Sequence, residues 1–224
     1  MPNINQIKFL NENKRLIKEP IVIIGSKEYE YDKYNYKIEL KKLGFEDIIG
    51  IDILDGEGVD VELDICELDQ ENFSGLENKF NTVICMQMLY AVKNPFTAAQ
   101  NIQRLLCSEG ILIFSDVFTH RVNRIPTDYW RFTYDAQKLI FDKIKFFDSR
   151  TKIGITRQGK LIDYTLPFPE LRKYKKYYNE TSLGFFFRKL QRKIFSNDLL
   201  GNQRLLPEMS IHSIGKKSNH SKIN

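Results

Sequence analysis

The chain has no apolar run approaching the roughly 18 residues that a membrane-crossing helix needs. Its start, Met1-Pro2-Asn3-Ile4-Asn5, lacks the charged-then-apolar pattern of a secretory signal. Cysteine is scarce: Cys66, Cys85 and Cys107 are odd in number, lie in or beside apolar runs and are not spaced for a metal. Free, reduced, buried thiols follow, together with a cytoplasmic setting. No G-x-G-x-x-G or G-x-x-x-x-G-K-S/T stretch is present, which excludes the usual dinucleotide and P-loop phosphate cradles. Internal repeats are absent, and a single tryptophan, Trp130, serves the whole chain. What is there describes one globular domain of ordinary core size: 224 residues, 42% hydrophobic, 28% charged, net charge +5.

Short apolar runs alternate with helical patterns. Residues 1–19 contain a basic, weakly amphipathic lead-in helix (Ile4, Ile7, Leu10, Leu16) stopped by Pro20. Ile21–Ile24 reads as a strand buried on both faces, ending at Gly25-Ser26. Tyr34–Leu43 reads as a helix closed by Gly44, followed by strands at 47–52, 59–64 and 80–86. Pro95 opens a helix to Leu106, Gly110–Ser115 is a strand, Tyr134–Lys145 a helix, 146–156 a strand and Met209–Gly215 the last strand. The order implies an α/β doubly wound sheet with helices on both faces, spanning 20–215. Residues 160–207 read as a helical insertion before the last strand and 216–224 as a flexible tail.

Open α/β sheets bind ligands beyond the carboxyl ends of their strands. Three such ends stand in order here. Gly25 offers a turn with exposed N–H groups ahead of a helix. Asp52 can accept two ribose hydroxyls, and Asp64 can receive the exocyclic amine of adenine. Each also reads plainly as a turn or a polar strand end. Glu28 and Glu30 in the first turn would repel a pyrophosphate. A ligand with adenosine but no phosphate fits better, and S-adenosylmethionine is the common one.

These residues resemble a class I S-adenosylmethionine-dependent methyltransferase, and more narrowly a bacterial methyltransferase-domain group. The group's G-S-K-x-Y matches Gly25-Ser26-Lys27-Glu28-Tyr29, and its G-V-D followed by G-x-G-V-D is similar to Gly50-Ile51-Asp52 and Gly56–Asp60. Val83-Ile84-Cys85, Asn94-Pro95-Phe96, Arg104-Leu105-Leu106, Glu109–Ser115 and the P-x-D-Y-W-R-F-T stretch, Pro126–Thr133, complete it over roughly 20–145. The resemblance implies a Rossmann-like, mostly parallel sheet of seven strands with the last antiparallel at one edge. It also implies that Gly25 and Ser26 face the methionine part of the cofactor, Asp52 the ribose, and Asp64 and Ile65 the adenine, with Ile53 also among the cofactor-binding residues. Met86 and Gln87 would line the methyl-transfer side. The chain departs from the pattern at Ile23, Lys27, Ala91 and Asn123, where an acid, a glycine and two histidines are usual.

The sulfonium methyl is already activated, so alignment for in-line attack dominates and a base is needed only for a hydroxyl or protonated amine acceptor. His120, Asp128 and Tyr129 are the candidates; Asp128 also reads as an ion pair holding Arg131. Residues 171–195 carry eight Lys or Arg, one acid and seven aromatics. Such a mixture suits a cap over the sheet edge, or peripheral contact with an anionic membrane surface. A nucleic-acid acceptor is disfavoured because Met86-Gln87-Met88-Leu89 stands where N/D-P-P-Y/F is usual. The expected acceptor is a small molecule or, as the family resemblance implies, a surface-glycan precursor. The alternative is a catalytically inactive methyltransferase-like binding or scaffold domain.

Overall fold

The computed structural model describes residues 2–67, 75–120, 122, 127–155, 159–164, 181–184, 186, 187, 190 and 208–218. Its nine strands are β1 Ile21–Ile24, β2 Ile48–Asp52, β3 Val61–Glu62, β4 Phe80–Met86, β5 Leu106–Thr119, β6 Ile144–Phe146, β7 Lys152–Ile155, β8 Lys160–Asp163 and β9 Met209–Lys217. They form one sheet in the order β3-β2-β1-β4-β5-β9-β7-β8, with β6 also on β9. The first five strands pair in parallel. From β5 onward every pairing is antiparallel.

Among the described residues the helices that pack on the sheet are α1 Ile4–Glu12, α2 Tyr36–Lys42, α3 Pro95–Leu105 and α4 Tyr134–Ile140. Ile7, Phe9 and Leu10 of α1 and Tyr36 and Leu40 of α2 pack with Ile21, Ile23, Ile84 and Ile113 on one face of the sheet. Ala98, Ala99 and Ile102 of α3 and Tyr134 and Ile140 of α4 pack with Val22, Val83, Leu112 and Phe114 on the other. That is the doubly wound α/β arrangement read from the sequence. Among the described residues no helix is long and apolar enough to cross a membrane.

The differences from expectation have local causes. Nine strands stand where seven were expected. β6 and β7 follow one another along the same edge of β9, interrupted by a 3-10 turn at Asp148–Arg150, and β8 adds a hairpin to β7. The last strand, β9, is antiparallel as expected but lies inside the sheet between β5 and β7, not at an edge. The helix expected to reach Lys145 stops at Ile140 because Ile144 and Phe146 alternate inward with period 2 and pair with β9. Only Val61 and Glu62 of the 59–64 run pair, since β3 is an edge strand. α1 runs Ile4–Glu12 behind an Asn3–Gln6 capping box, and a 3-10 turn at Lys14–Leu16 follows. Residues 160–163, expected within a helical insertion, are β8, while 182–184, 186, 187 and 190 are helical; the rest of 160–207 apart from Tyr164 and Thr181 lies outside the described residues. Lys216 and Lys217, expected in a flexible tail, belong to β9.

Candidate cofactor and acceptor site

The carboxyl ends of the parallel strands β1, β2, β4 and β5 lie along one edge of the sheet. The chain leaves β1 through Gly25, at φ +74°, a left-handed conformation that favours glycine. A Cβ there would also stand 2.8 Å from Met88 Cγ, so the turn after β4 presses on the turn after β1. The Gly25 and Ser26 N–H groups donate to the Ile51 carbonyl at 2.9 and 3.2 Å. Asp52, at the end of β2, accepts from Lys27 N–H at 2.9 Å through Oδ2 and from Leu54 N–H at 3.1 Å through Oδ1. Both bonds orient the carboxylate and leave further lone pairs on each oxygen for hydroxyl donors. Ile53 beyond it is exposed.

The G-x-G-V-D stretch locks this turn from behind. Asp60 accepts from Gly50 N–H at 2.5 Å and from Lys37 Nζ at 2.6 Å. Burial pushes the Asp60 carboxyl up, but the Lys37 and Gly50 hydrogen bonds outweigh it and hold the group below its ordinary value. Ser26 is buried, and its side chain packs against Gly50; a Cβ on Gly50 would lie 2.6 Å from Ser26 Oγ and 2.1 Å from the Gly58 carbonyl. The Ser26 side chain therefore wedges the turn against the Gly56–Asp60 loop. At the next strand end, Asp64 Oδ1 accepts from Cys66 N–H at 2.7 Å, and the buried Ile65 is tied to α3 by Asn101 Nδ2 donating to its carbonyl at 2.8 Å.

On the side expected to face the acceptor, Met86 is buried and pairs with Ser115 across β4 and β5. Gln87 takes φ +53° while its N–H donates to the Ser115 carbonyl at 2.6 Å. The Asp128–Thr133 stretch clamps the 3-10 turn Leu89–Ala91 that follows. Tyr129 and Trp130 N–H groups donate to the Tyr90 carbonyl at 2.9 and 3.0 Å, Trp130 Nε1 to Val92 at 2.7 Å and Thr127 Oγ1 to Ala91 at 2.8 Å. Phe132 is buried edge-on to Phe114, and Thr133 caps α4. Asp128, with a side chain only 5% exposed, binds Arg131 through both oxygens. Arg131 also reaches the His120 carbonyl at 3.3 Å. Of the three acid–base candidates, Asp128 is thus engaged by Arg131, while Tyr129 is exposed and His120 half-buried at the end of β5.

One acidic side chain at this end escaped the sequence reading. Asp116, on β5, is fully buried and accepts from Val117 N–H at 2.7 Å and Tyr90 N–H at 3.1 Å. Burial raises its carboxyl to about 7, against the pull of those N–H groups. In sequence it is one acid inside an apolar strand; only its place beyond Ser115 at a strand's carboxyl end could have marked it.

A family model described as a methyltransferase domain matches residues 29–155. The chain belongs to the methyltransferase-domain family. No curated protein sequence matches it. Among solved structures, the methyltransferase-domain chain is similar to an S-adenosylmethionine-dependent methyltransferase from Archaeoglobus fulgidus, at 16% identity and TM-score 0.54, over 95% of this chain and 93% of that one. It is similar to the 1,6-didemethyltoxoflavin-N1-methyltransferase of Burkholderia thailandensis with bound S-adenosylhomocysteine, at 11% identity and TM-score 0.54, over 96% and 79%. It is also similar to the 4+2 cyclase SpnF, at 13% identity and TM-score 0.55, over 96% and 80%. At these identities the likeness is one of fold.

Proposed function

We propose that this methyltransferase-domain protein transfers the methyl group of S-adenosylmethionine to a small-molecule or surface-glycan-precursor acceptor. The observation that carries the reading is Asp52, fixed between the Lys27 and Leu54 N–H groups beside the left-handed Gly25 turn. The fit to the cofactor is chemical: an oriented carboxylate with free lone pairs suits two ribose hydroxyls, and a turn that no Cβ could enter suits close backbone approach. The match to G-S-K-x-Y and P-x-D-Y-W-R-F-T supports placing the chain in the narrower bacterial group. Free Cys66, Cys85 and Cys107 support a reducing, cytoplasmic setting.

The cofactor supplies a methyl on a sulfonium, which needs no further activation. The protein's part is to hold and orient. Asp52, Ile53, Asp64 and Ile65 form the nucleoside side, and Gly25, Met86 and Gln87 border the methyl side. The 128–133 clamp keeps the Leu89–Ala91 turn beside Met86, so the acceptor wall is rigid. Asp116, fully buried, holds this wall from within by accepting the Tyr90 N–H of the same turn.

Calorimetric titration with S-adenosylmethionine and S-adenosylhomocysteine tests the reading. Binding that disappears in Asp52→Ala is the expected result; a wild-type protein that binds neither at millimolar concentration overturns it. The second reading, an inactive scaffold domain, is favoured by the closure of Asp128 on Arg131. Cofactor binding without methyl transfer to any acceptor class would establish that reading instead.

A further inference from the structure

The motif Gly25-Ser26-Lys27-Glu28-Tyr29 has a residue that neither the turn nor the sheet uses. Tyr29 is 40% exposed and Tyr31 58% exposed, yet the two rings are ordered against each other, with centroids 5.3 Å apart and planes within 10°. The chain that carries them is closed in both directions, by Asp32 N–H donating to the Tyr29 carbonyl at 2.8 Å and Tyr29 N–H donating to Asp32 Oδ2 at 3.2 Å. Lys27 Nζ lies 5.8 Å from the centre of the Tyr29 ring, and Lys27 N–H is one of the two donors that fix Asp52. The Tyr29 hydroxyl is pushed above its ordinary value, first by burial and next by the Asp52 carboxylate, so the ring stands within electrostatic reach of that acid. Ile53 and Leu54, directly after Asp52, are also more than half exposed. Exposed apolar side chains thus follow Asp52 in the chain and an exposed ring stands within its electrostatic reach, a composition suited to a ligand with an apolar ring and a diol.

We propose that Tyr29, backed by Tyr31, packs its ring face on the adenosine part of the cofactor and positions it over Asp52. This deepens the cofactor reading and rests on it. A stacked tyrosine pair presents a rigid face with little rotamer freedom left to lose on binding. Stacking of a nucleobase or its sugar on such a face is sequence-tolerant and strong enough to be read in affinity.

The full chain is titrated with S-adenosylhomocysteine by calorimetry as wild type, Tyr29→Ala, Tyr29→Phe and Tyr29→Leu. Affinity is expected to fall about tenfold in Tyr29→Ala and in Tyr29→Leu, and to stay within about twofold in Tyr29→Phe. In proton NMR the adenosine protons of bound S-adenosylhomocysteine are expected to shift upfield in the wild type and to lose that shift in Tyr29→Leu. The leucine variant keeps the apolar volume, so it isolates the ring face should the alanine variant fold poorly. Unchanged affinity in the leucine variant, or bound adenosine protons without an upfield shift in the wild type, overturns the proposal. A loss in Tyr29→Phe equal to that in Tyr29→Leu also overturns it, because the hydroxyl and not the face would then hold the ligand. A wild-type protein that does not bind S-adenosylhomocysteine defeats the cofactor reading itself, a different failure from a wild type that binds while Tyr29 is indifferent.

Discussion

His212 on β9 sits under α1, its ring 5.4 Å from that of Phe9 and its Nε2 2.8 Å from Ser210 Oγ. A Cβ on Gly154 would lie 2.5 Å from the same nitrogen and 3.0 Å from Asn5 Nδ2, so helix, strand and imidazole are close-packed. Burial lowers the His212 ring to about 3, from an ordinary value of 6.5. The unfolded chain therefore binds the extra proton first. Stability held above pH 6.5 is lost progressively as pH falls toward 3. Between pH 7 and pH 5 this removes about 2 kcal/mol, which His212→Gln should spare. Denaturant unfolding of both proteins at the two pH values measures it. Asp116 runs the other way. Its carboxyl is raised to about 7 in the folded protein, so its contribution is greatest below the unfolded value near 4 and falls as pH rises through 7. Asp116→Asn should therefore flatten a loss of stability seen in the wild type from pH 4 to 7, checked by the same unfolding series. An asparagine cannot ionise, but its amide NH2 would replace one of the two oxygens and face either the Tyr90 or the Val117 N–H group, so its stability at pH 4 should be lower than wild type.

At the scale of elements, the Asp128–Thr133 stretch is a clamp. Each residue has a task in holding the 89–92 turn, the Asp128–Arg131 pair, the core or the start of α4. Trp130→Phe keeps the ring and removes the indole N–H bond to Val92, which should cost about 1 kcal/mol in denaturant unfolding while leaving S-adenosylhomocysteine affinity intact. Elements with a dominant local signal were legible in the sequence. β1 is a wholly apolar run and β4 ends in one, Val83–Met86, and Asn94-Pro95 marks the start of α3 through cap and ring alike. The end of α4 was not legible, because Ile140, Phe141, Ile144 and Phe146 suit a helix face as well as a strand face, and only pairing with β9 decides. The interior place of β9 was not legible either, since strand order is a long-range property. In the site, Gly25 and Asp52 could be read because they end apolar runs. The wedge role of Ser26, aimed at Gly50, and the burial of Asp116 depend on contacts with distant chain segments and left no local mark.

For the whole molecule, the proposed site implies that cofactor binding and folding are linked. The turn after β1, the acid of β2 and the turn after β4 come from segments far apart in sequence and exist together only in the folded sheet. S-adenosylhomocysteine at a hundredfold excess over its Kd should therefore stabilise the protein by about 2.7 kcal/mol, seen as a rise of several degrees in the thermal midpoint. Asp52→Ala should lose that rise. The two helical faces make the same point structurally. α1 and α2 cover one side and α3 and α4 the other, so the core closes only when segments from both ends of the chain are in place.

The interior position of β9 has a consequence for how the protein is made. Residues 209–217 leave the ribosome after the other described strands, yet they join β5 to β6 and β7. Until they emerge, the growing chain holds a parallel half-sheet and a separate hairpin, each with an unpaired edge. At about 5–20 residues per second that exposed stage is brief. A message truncated just before codon 209 would make it permanent. Such a product would carry an unpaired β5 edge, with Leu112 and Phe114 facing one way and Ile113 the other, and should accumulate as aggregate rather than as a shortened domain.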